Sequence, residues 1–258
     1  MTDDELIAAS DASFYEGWRM MAKAAGGIAR ETGGVLIAAP GVGPMWVNIV
    51  FVTQPLGDPE RQLTEAFAEL DERSIPFLVR VRDGLDPASE RAAGQLGLRY
   101  TDSIPGMALT PVPPDGGRDV PLTIRQVEDD VTFAHFVSVT GATFDFASED
   151  AVKVLPPRLR RTPDTFWYVG YVDSEPVATS HLLLVNGAAG VNFIGTREGY
   201  RGRGFGEAMT WQVVNKGAEF GCQVAVLQAS EMGLPVYERM GFRVVTAYKT
   251  FVRPEWID

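Results

Sequence analysis

Arg201-Gly202-Arg203-Gly204-Phe205-Gly206 is the densest cluster of residues whose types could do chemistry. It lies between an apolar, strand-like segment, Val191-Asn192-Phe193-Ile194-Gly195-Thr196, and a helix-like segment from about Glu207 to Phe220. Glycines in such a turn let backbone N–H groups approach a ligand closely. A helix N-terminus adds unpaired N–H groups and the positive end of its dipole, so the turn suits a phosphate. Arg201 and Arg203 add positive charge in a chain of formal net charge −11. Strand–glycine–helix corners are also common structural punctuation, so the turn alone leaves both readings open.

The downstream residues narrow the choice. A second apolar strand, Val224-Ala225-Val226-Leu227-Gln228-Ala229-Ser230, follows the helix. Then comes Gly233-Leu234-Pro235-Val236-Tyr237-Glu238-Arg239-Met240-Gly241-Phe242-Arg243, a short helix leading into a last strand. This order resembles the GNAT superfamily of acyl-CoA-dependent N-acetyltransferases. Arg201-x-x-Gly204-x-Gly206 fits that family's pyrophosphate loop, and Tyr237-Glu238-Arg239-Met240-Gly241-Phe242 fits its Tyr-(x)3-Gly-Phe segment. The two motifs occur in order and correctly spaced. The resemblance covers roughly Val120 to Arg253, about half the chain.

The resemblance implies roles. Backbone N–H groups of Gly202 to Gly206, Phe205 included, would hold the pyrophosphate of acetyl-CoA, with Arg201 and Arg203 alongside. The backbone of Ile194, Gly195 and Thr196 would pair with the pantetheine arm as an added strand does. The family opens two adjacent strands there, and Gly195 would ease such a distortion. Ser230, seven residues before Tyr237, stands where relatives place a polar residue on CoA. Tyr237 would protonate the leaving sulfur, because a phenol with a pKa of ~10 stays protonated at neutral pH. Some relatives carry a glutamate on the strand that here reads Val224-Ala225-Val226, and this chain has no carboxylate there. The general base is therefore open among His181, Asp145, Glu149, Asp150 and water. His181 titrates in the right range, but Ala178-Thr179-Ser180-His181-Leu182 equally suits a structural histidine. Phe144, Asp145 and Glu149 fall in the region that flanks the acceptor in the family, and Phe144, Phe146 and Trp167 could wall an apolar pocket or simply pack the core.

The elements that must position these groups can be read in outline. Thr2 with Glu5 and Ser13 with Glu16 have capping-box spacing. Phe14, Trp18 and Met21 share a helical face. Val35 to Ala39, Met45 to Thr53 and Ile75 to Val81 read as strands. Asp58-Pro59 and Asp86-Pro87 start helices. The prolines and glycines of residues 103–121 read as a linker that divides the chain into 1–115 and 118–258. Leu122 to Val127, Phe166 to Val172, Val177 to Val185 and Ala189 to Thr196 are further strands, with helices from Val131 and Ser148. Helix, strand, short helix and Leu96-Gly97-Leu98-Arg99 in the first half parallel the run ending in Met240-Gly241-Phe242-Arg243, a weak internal repeat. The first copy has Gly57-Asp58-Pro59-Glu60-Arg61 where the second has its glycine turn, and it lacks a counterpart of Tyr237. The expected fold is α/β, two GNAT-like halves with a mixed, mostly antiparallel sheet flanked by helices, the first half degenerate and non-catalytic. An unrelated α/β cap domain is the other reading of that half.

Composition sets the outer bounds. The chain has 258 residues, 45% hydrophobic and 22% charged, as ordinary globular proteins do. Its acidity argues against nonspecific binding to nucleic acid or anionic membrane. No apolar run approaches the ~20 residues of a membrane span. The acidic start, Met1-Thr2-Asp3-Asp4-Glu5, is unlike a leader, and the single cysteine, Cys222, fits a reducing compartment, so a cytoplasmic protein is expected. His135 and His181 lie far apart and no CxxC occurs, so no metal is expected. The reading is transfer of an acetyl group from acetyl-CoA to a primary amine, of a small molecule first and of a peptide or protein second, directly in a ternary complex, by a monomer or homodimer. A non-catalytic acyl-CoA sensor is the rival. A dinucleotide-dependent oxidoreductase fits poorly, because the glycine turn comes late and lacks its acidic partner ~20 residues on.

Overall fold

Local signals start and stop the elements of the first half. Thr2 and Glu5 close a reciprocal capping box on α1 (Asp3–Ala25), which ends at left-handed Gly26. Strands β1 (Ile28–Thr32), β2 (Val35–Ala39) and β3 (Ile49–Val52) follow, with a 3-10 turn at Met45–Val47 before the third. Asp58 caps α2 (Pro59–Asp71), and β4 (Leu78–Arg82), α3 (Pro87–Gln95) and β5 (Arg99–Leu109) complete the run. The remainder comprises β6 (Thr123–Gln126), α4 (Asp130–Thr143), α5 (Ser148–Val154), β7 (Thr165–Val172), β8 (Glu175–Val185), β9 (Ala188–Thr196), α6 (Phe205–Glu219), β10 (Val224–Gln228), α7 (Leu234–Arg239) and β11 (Arg243–Val252). The computed structural model describes residues 1–113, 116–117 and 119–257.

The strands form one 11-stranded sheet in the order β1-β2-β3-β4-β11-β5-β10-β9-β8-β7-β6. Among the described residues the junctions β3–β4 and β9–β10 are parallel and the others antiparallel. The run β1-β2-β3-α2-β4-α3-β5 is repeated in kind by β7-β8-β9-α6-β10-α7-β11. The closing strand of each run crosses to the other. β5 pairs with β10, β11 pairs with β4, and the two exchanged strands pair with each other. The two runs therefore share one sheet.

Helices cover both faces. α2 and α3 bury Leu63, Phe67, Leu70 and Ala92 against Val79 and Val81, and α6 buries Phe205, Met209 and Val213 against Ala189, Val191 and Ala225. On the opposite face α1 crosses the sheet. Leu6 sits on Val224 and Val226, Phe14 on Phe51 and Tyr248, and Met20 and Met21 join Phe133 and Trp167 of the second run. Close approach of α1 depends on small residues. A Cβ on Gly190 would stand 2.1 Å from Ser13 Oγ, and one on Gly106 would stand 3.0 Å from Ser10 Oγ.

Two sequence expectations need correction. Ser13 and Glu16 do not start a helix, because α1 runs through them. Ser13 is buried at the Gly190 contact, and Glu16 pairs with Arg19 at 2.6 Å on the solvent side. The linker does not begin at residue 103, because β5 extends to Leu109 with Pro105 inside it. The Pro105 carbonyl accepts from Ala229 N–H just past the last β5–β10 pair, Gln228↔Gly106. In an antiparallel strand a residue's N and O point to the same neighbour. The missing N–H of Pro105 thus falls where the ladder has ended, and proline is tolerated there. The boundaries placed at 115 and 118 lie outside the described residues.

Candidate active site

β9 and β10 run together through three register pairs, the last being Gly190↔Val226, and then separate. β9 continues to Thr196 without a β10 partner, while Leu227 and Gln228 of β10 pair with β5. A bulge in β9, on its β8 edge, accompanies the separation. Thr179 opposes Gly195 and His181 opposes Asn192, so β9 takes three steps where β8 takes two. The bend lies at Phe193, whose φ is +50°. Such a backbone is unfavourable for a bulky residue, and the Thr179 hydroxyl donating to Phe193 O at 3.0 Å helps to hold it. Gly195 is not in the left-handed region. Its absent side chain instead makes room for Thr179 and Thr143, which a Cβ would meet at 3.0 and 3.1 Å.

The glycine turn stands at the far end of β9. Gly202 and Gly204 have φ of +76° and +81°, values that glycine adopts without strain. Gly204 is the N-cap of α6 and supplies no side-chain acceptor to the helix amides. A Cβ on Gly206 would have only Thr196 Oγ1 and Ile194 Cγ2 near it, at 3.8 and 3.9 Å, so the concave side of the turn is open. Arg201 folds back to donate to Thr196 O at 3.1 Å, and Arg203 lies over the Tyr200 ring at 5.1 Å. Both arginines remain exposed beside the turn. The corresponding corner before α2 is already filled. The Asp58 carboxylate accepts the Arg61 N–H and pairs with the Arg61 side chain, and Pro59 has no N–H to offer.

A cavity of about 260 Å³ occupies the opening between β9 and β10. Val191 to Ile194 form one side and Gln228, Ala229 and Ser230 the other. Tyr237 of α7 and His181 of β8 reach it, and α1 closes it with Phe14, Gly17, Trp18 and Met21. Trp46 and Phe144 complete the aromatic wall. The structure thus brings Ile194, Ser230, Tyr237, His181 and Phe144 to one cavity. Thr196 and the glycine turn stand at its end of β9, outside its wall. Asp145 and Glu149 are exposed, Asp150 faces Lys153 at 3.7 Å, and none of these three carboxylates lines the cavity. Phe146 lines a separate cavity between α4 and α5, and Trp167 is in the core.

Electrostatics separates the titratable candidates. Burial pushes the Tyr237 phenol up to about 12, partly offset by the Thr210 hydroxyl that hydrogen-bonds it. It is therefore a proton donor at neutral pH. Burial pushes His181 down to about 3. Its ring stacks on Trp167 with centroids 3.8 Å apart, and neither ring nitrogen has a partner among the described residues. The imidazole is neutral, so it can offer one N–H and one lone pair but is a weak base. Ser230 Oγ accepts from Gly233 N at 3.2 Å, which shapes the entry to α7. Among the described residues no group of His, Cys, Asp and Glu could hold a metal ion, and no helix is long and apolar enough to cross a membrane. Cys222 is buried.

Sequence reasoning missed Arg80, Gly17, Trp18 as a cavity wall, Trp46, Asn192 and Gln228. Arg80 carried a signal. Arginine within Phe77-Leu78-Val79-Arg80-Val81 is a charge on an otherwise apolar strand, and buried charge calls for a reason. The other omissions depend on how α1 crosses the sheet, which no local pattern encodes.

Residues 132–242 match the sequence model of the acetyltransferase (GNAT) family. No curated protein matches the chain. Among solved structures, a GCN5-related N-acetyltransferase from Kribbella flavida superposes with a TM-score of 0.65 at 16% identity, covering 88% of this chain and 89% of its own. A GCN5-related N-acetyltransferase from Sphaerobacter thermophilus gives 0.59 at 19% identity, with 79% and 71% covered. A tandem GNAT protein from the clavulanic acid biosynthesis pathway gives 0.56 at 13% identity, with 86% and 80% covered. These likenesses extend the shared fold across both strand runs. Residues 132–242, from within α4 to the residue before β11, thus resemble the GNAT family of acetyltransferases.

Proposed function

We propose that the protein transfers an acetyl group from acetyl-CoA to the primary amine of a small molecule, directly and within a ternary complex. The observation that carries this reading is the opening between β9 and β10, with a phosphate-compatible glycine turn at the end of β9 and the Tyr237 phenol in the cavity wall. The residues present fit acetyl-CoA. The unpaired edge of β9 from Asn192 to Thr196 offers backbone groups to a pantetheine amide, and the turn from Gly202 to Gly206 offers N–H groups to a pyrophosphate. Acetyl-CoA, when bound, supplies the acetyl group as a thioester that an amine nitrogen opens with release of the thiol.

The chain's own residues do the rest. The β9 edge orients the thioester so that attack becomes effectively intramolecular. Tyr237 holds a proton for the departing sulfur, and its raised pKa keeps that proton in place until negative charge develops. Asn192 and Gln228 bring side-chain amides to the cavity wall. Deprotonation of the incoming amine runs to water, because among the described residues no carboxylate lines the cavity and His181 is too weak a base. The first run of strands and helices binds no second acetyl-CoA in this reading. Asp58 occupies its helix start, and β3 and β4 stay paired through Val52↔Val81 without opening. Its part is to close the acceptor cavity with α1.

Calorimetric titration of acetyl-CoA tests the proposal. One site per chain, lost in Gly204→Glu, is the expected outcome. Two sites would make the first run a binding half, and no binding would remove the transferase reading. Thiol release on adding amines, lost in Tyr237→Phe with binding retained, separates an enzyme from an acyl-CoA sensor.

A further inference from the structure

Among the described residues the acceptor cavity has one charged residue in its wall, and it comes from the first strand run. Arg80 of β4 is 8% exposed. Its Nη1 donates to Thr250 Oγ1 at 2.9 Å, and that hydroxyl donates to Asp102 Oδ1 at 2.6 Å. Its Nε is buried and has no hydrogen-bond partner among the described residues. Among the described residues no carboxylate pairs with the guanidinium directly, whereas neighbouring Arg82 holds Asp11 at 2.9 Å. Burial lowers the Arg80 pKa to about 10, which leaves it charged at neutral pH.

A buried guanidinium that is only partly satisfied is costly to the fold. Structural arginines in interiors are normally paired. The Arg80 side chain lines the cavity, and guanidinium forks match carboxylates with two parallel hydrogen bonds. Among the described residues the cavity wall holds no Asp, Glu or Lys beside Arg80. Phe14, Trp18, Trp46, Phe144 and Phe193 make the remaining wall apolar and aromatic.

We infer that the acceptor amine also carries a carboxylate, which Arg80 binds, and an apolar body that the aromatic wall surrounds: an amino acid with an apolar side chain, or a close analogue. This rests on the acetyl-transfer reading for its chemistry, but the carboxylate site stands on the Arg80 geometry. The bond made is between the acetyl carbon and the amine nitrogen. The bond broken is the thioester C–S bond, with the amine proton going to solvent and the Tyr237 proton to sulfur.

The test compares L-phenylalanine and L-leucine with phenethylamine and isoamylamine, which lack only the carboxylate. Thiol release gives kcat/KM for each, in the native chain and in Arg80→Met. A hydrogen-bonded charge pair contributes about 1.5–3 kcal/mol, so the native chain should favour the amino acid over its amine by about 10- to 150-fold. In Arg80→Met that ratio should fall to about one. Equal turnover of both partners in the native chain, a preference for the bare amine, or a ratio unchanged in Arg80→Met would overturn the inference. Arg80→Lys covers the case in which Arg80→Met does not fold: loss of the bidentate fork should cut the ratio about tenfold, and an undiminished ratio counts against it. If no amine releases thiol, the transferase reading fails separately, and titration of L-phenylalanine and N-acetyl-L-phenylalanine decides the carboxylate site. Binding weakened at least tenfold in Arg80→Lys upholds it, and absence of binding to the native chain refutes it.

Discussion

Replacing Gly17 with alanine should stabilise the protein, and a larger side chain there should narrow the cavity between β9 and β10. Gly17 sits in the middle of α1, where glycine costs about 1 kcal/mol relative to alanine. A Cβ there would meet Leu183 Cδ2 at 3.8 Å and Asn192 Oδ1 at 4.0 Å, both ordinary contacts, so no clash offsets the gain. About 1 kcal/mol in a chain of this size raises Tm by about 2–4 °C. Gly17 also lines the cavity, directly above Asn192. A methyl group takes little of about 260 Å³, whereas Gly17→Leu should fill a useful part of it. Thermal unfolding followed by circular dichroism reads the first effect. Thiol-release kinetics with acceptors of graded size read the second, as a KM that climbs more steeply for larger acceptors in Gly17→Leu. A lower Tm in Gly17→Ala would mean that α1 packs more tightly than these contacts indicate. Unchanged acceptor kinetics in a folded Gly17→Leu would mean that the amine binds elsewhere.

Tyr237→Phe should lower kcat by at least ~100-fold, with acetyl-CoA affinity measured by calorimetry changing less than tenfold; an active variant would assign the sulfur's proton to another donor. Gly204→Glu should weaken acetyl-CoA binding at least ~100-fold, because it puts a side chain at φ +81° and a carboxylate at the start of α6; native affinity would exclude the turn as the phosphate seat. His181 predicts a sign for acid stability. Its folded pKa, about 3, lies below the unfolded value of about 6.5, so the unfolded chain takes up a proton that the folded chain refuses. Stability should be complete above pH ~6.5 and fall by up to ~1.4 kcal/mol per unit as pH drops toward 3. Denaturant midpoints measured between pH 7 and 4 should fall less steeply in His181→Gln, and parallel curves would contradict the buried neutral imidazole.

Local chemistry determined much of what the sequence shows by itself. The glycine turn between β9 and α6 is legible because Gly202 and Gly204 must take positive φ, a property of single residues. Caps at Thr2, Asp58 and Asp86 and the buried runs of β8, β9 and β10 are legible for the same reason, since capping and burial periodicity act over a few residues. The Tyr237 motif was readable from spacing, and its cavity position follows from the short helix it occupies. Pairings between distant strands were decided only by the tertiary structure. Pro105 reads as a strand breaker until β10 is seen to end beside it. His181 reads as either a titrating base or a structural histidine until Trp167 stacks on it in the core. Arg80 reads as one residue of a strand until the exchange of β5 and β11 joins the two runs and α1 crosses between them, bringing that guanidinium to a cavity whose other wall, Val191 to Ile194 with Tyr237, lies more than a hundred residues away in sequence. Backbone pairing and close packing select such neighbours by shape and hydrogen bonding along the whole chain, and a window of a few residues contains neither.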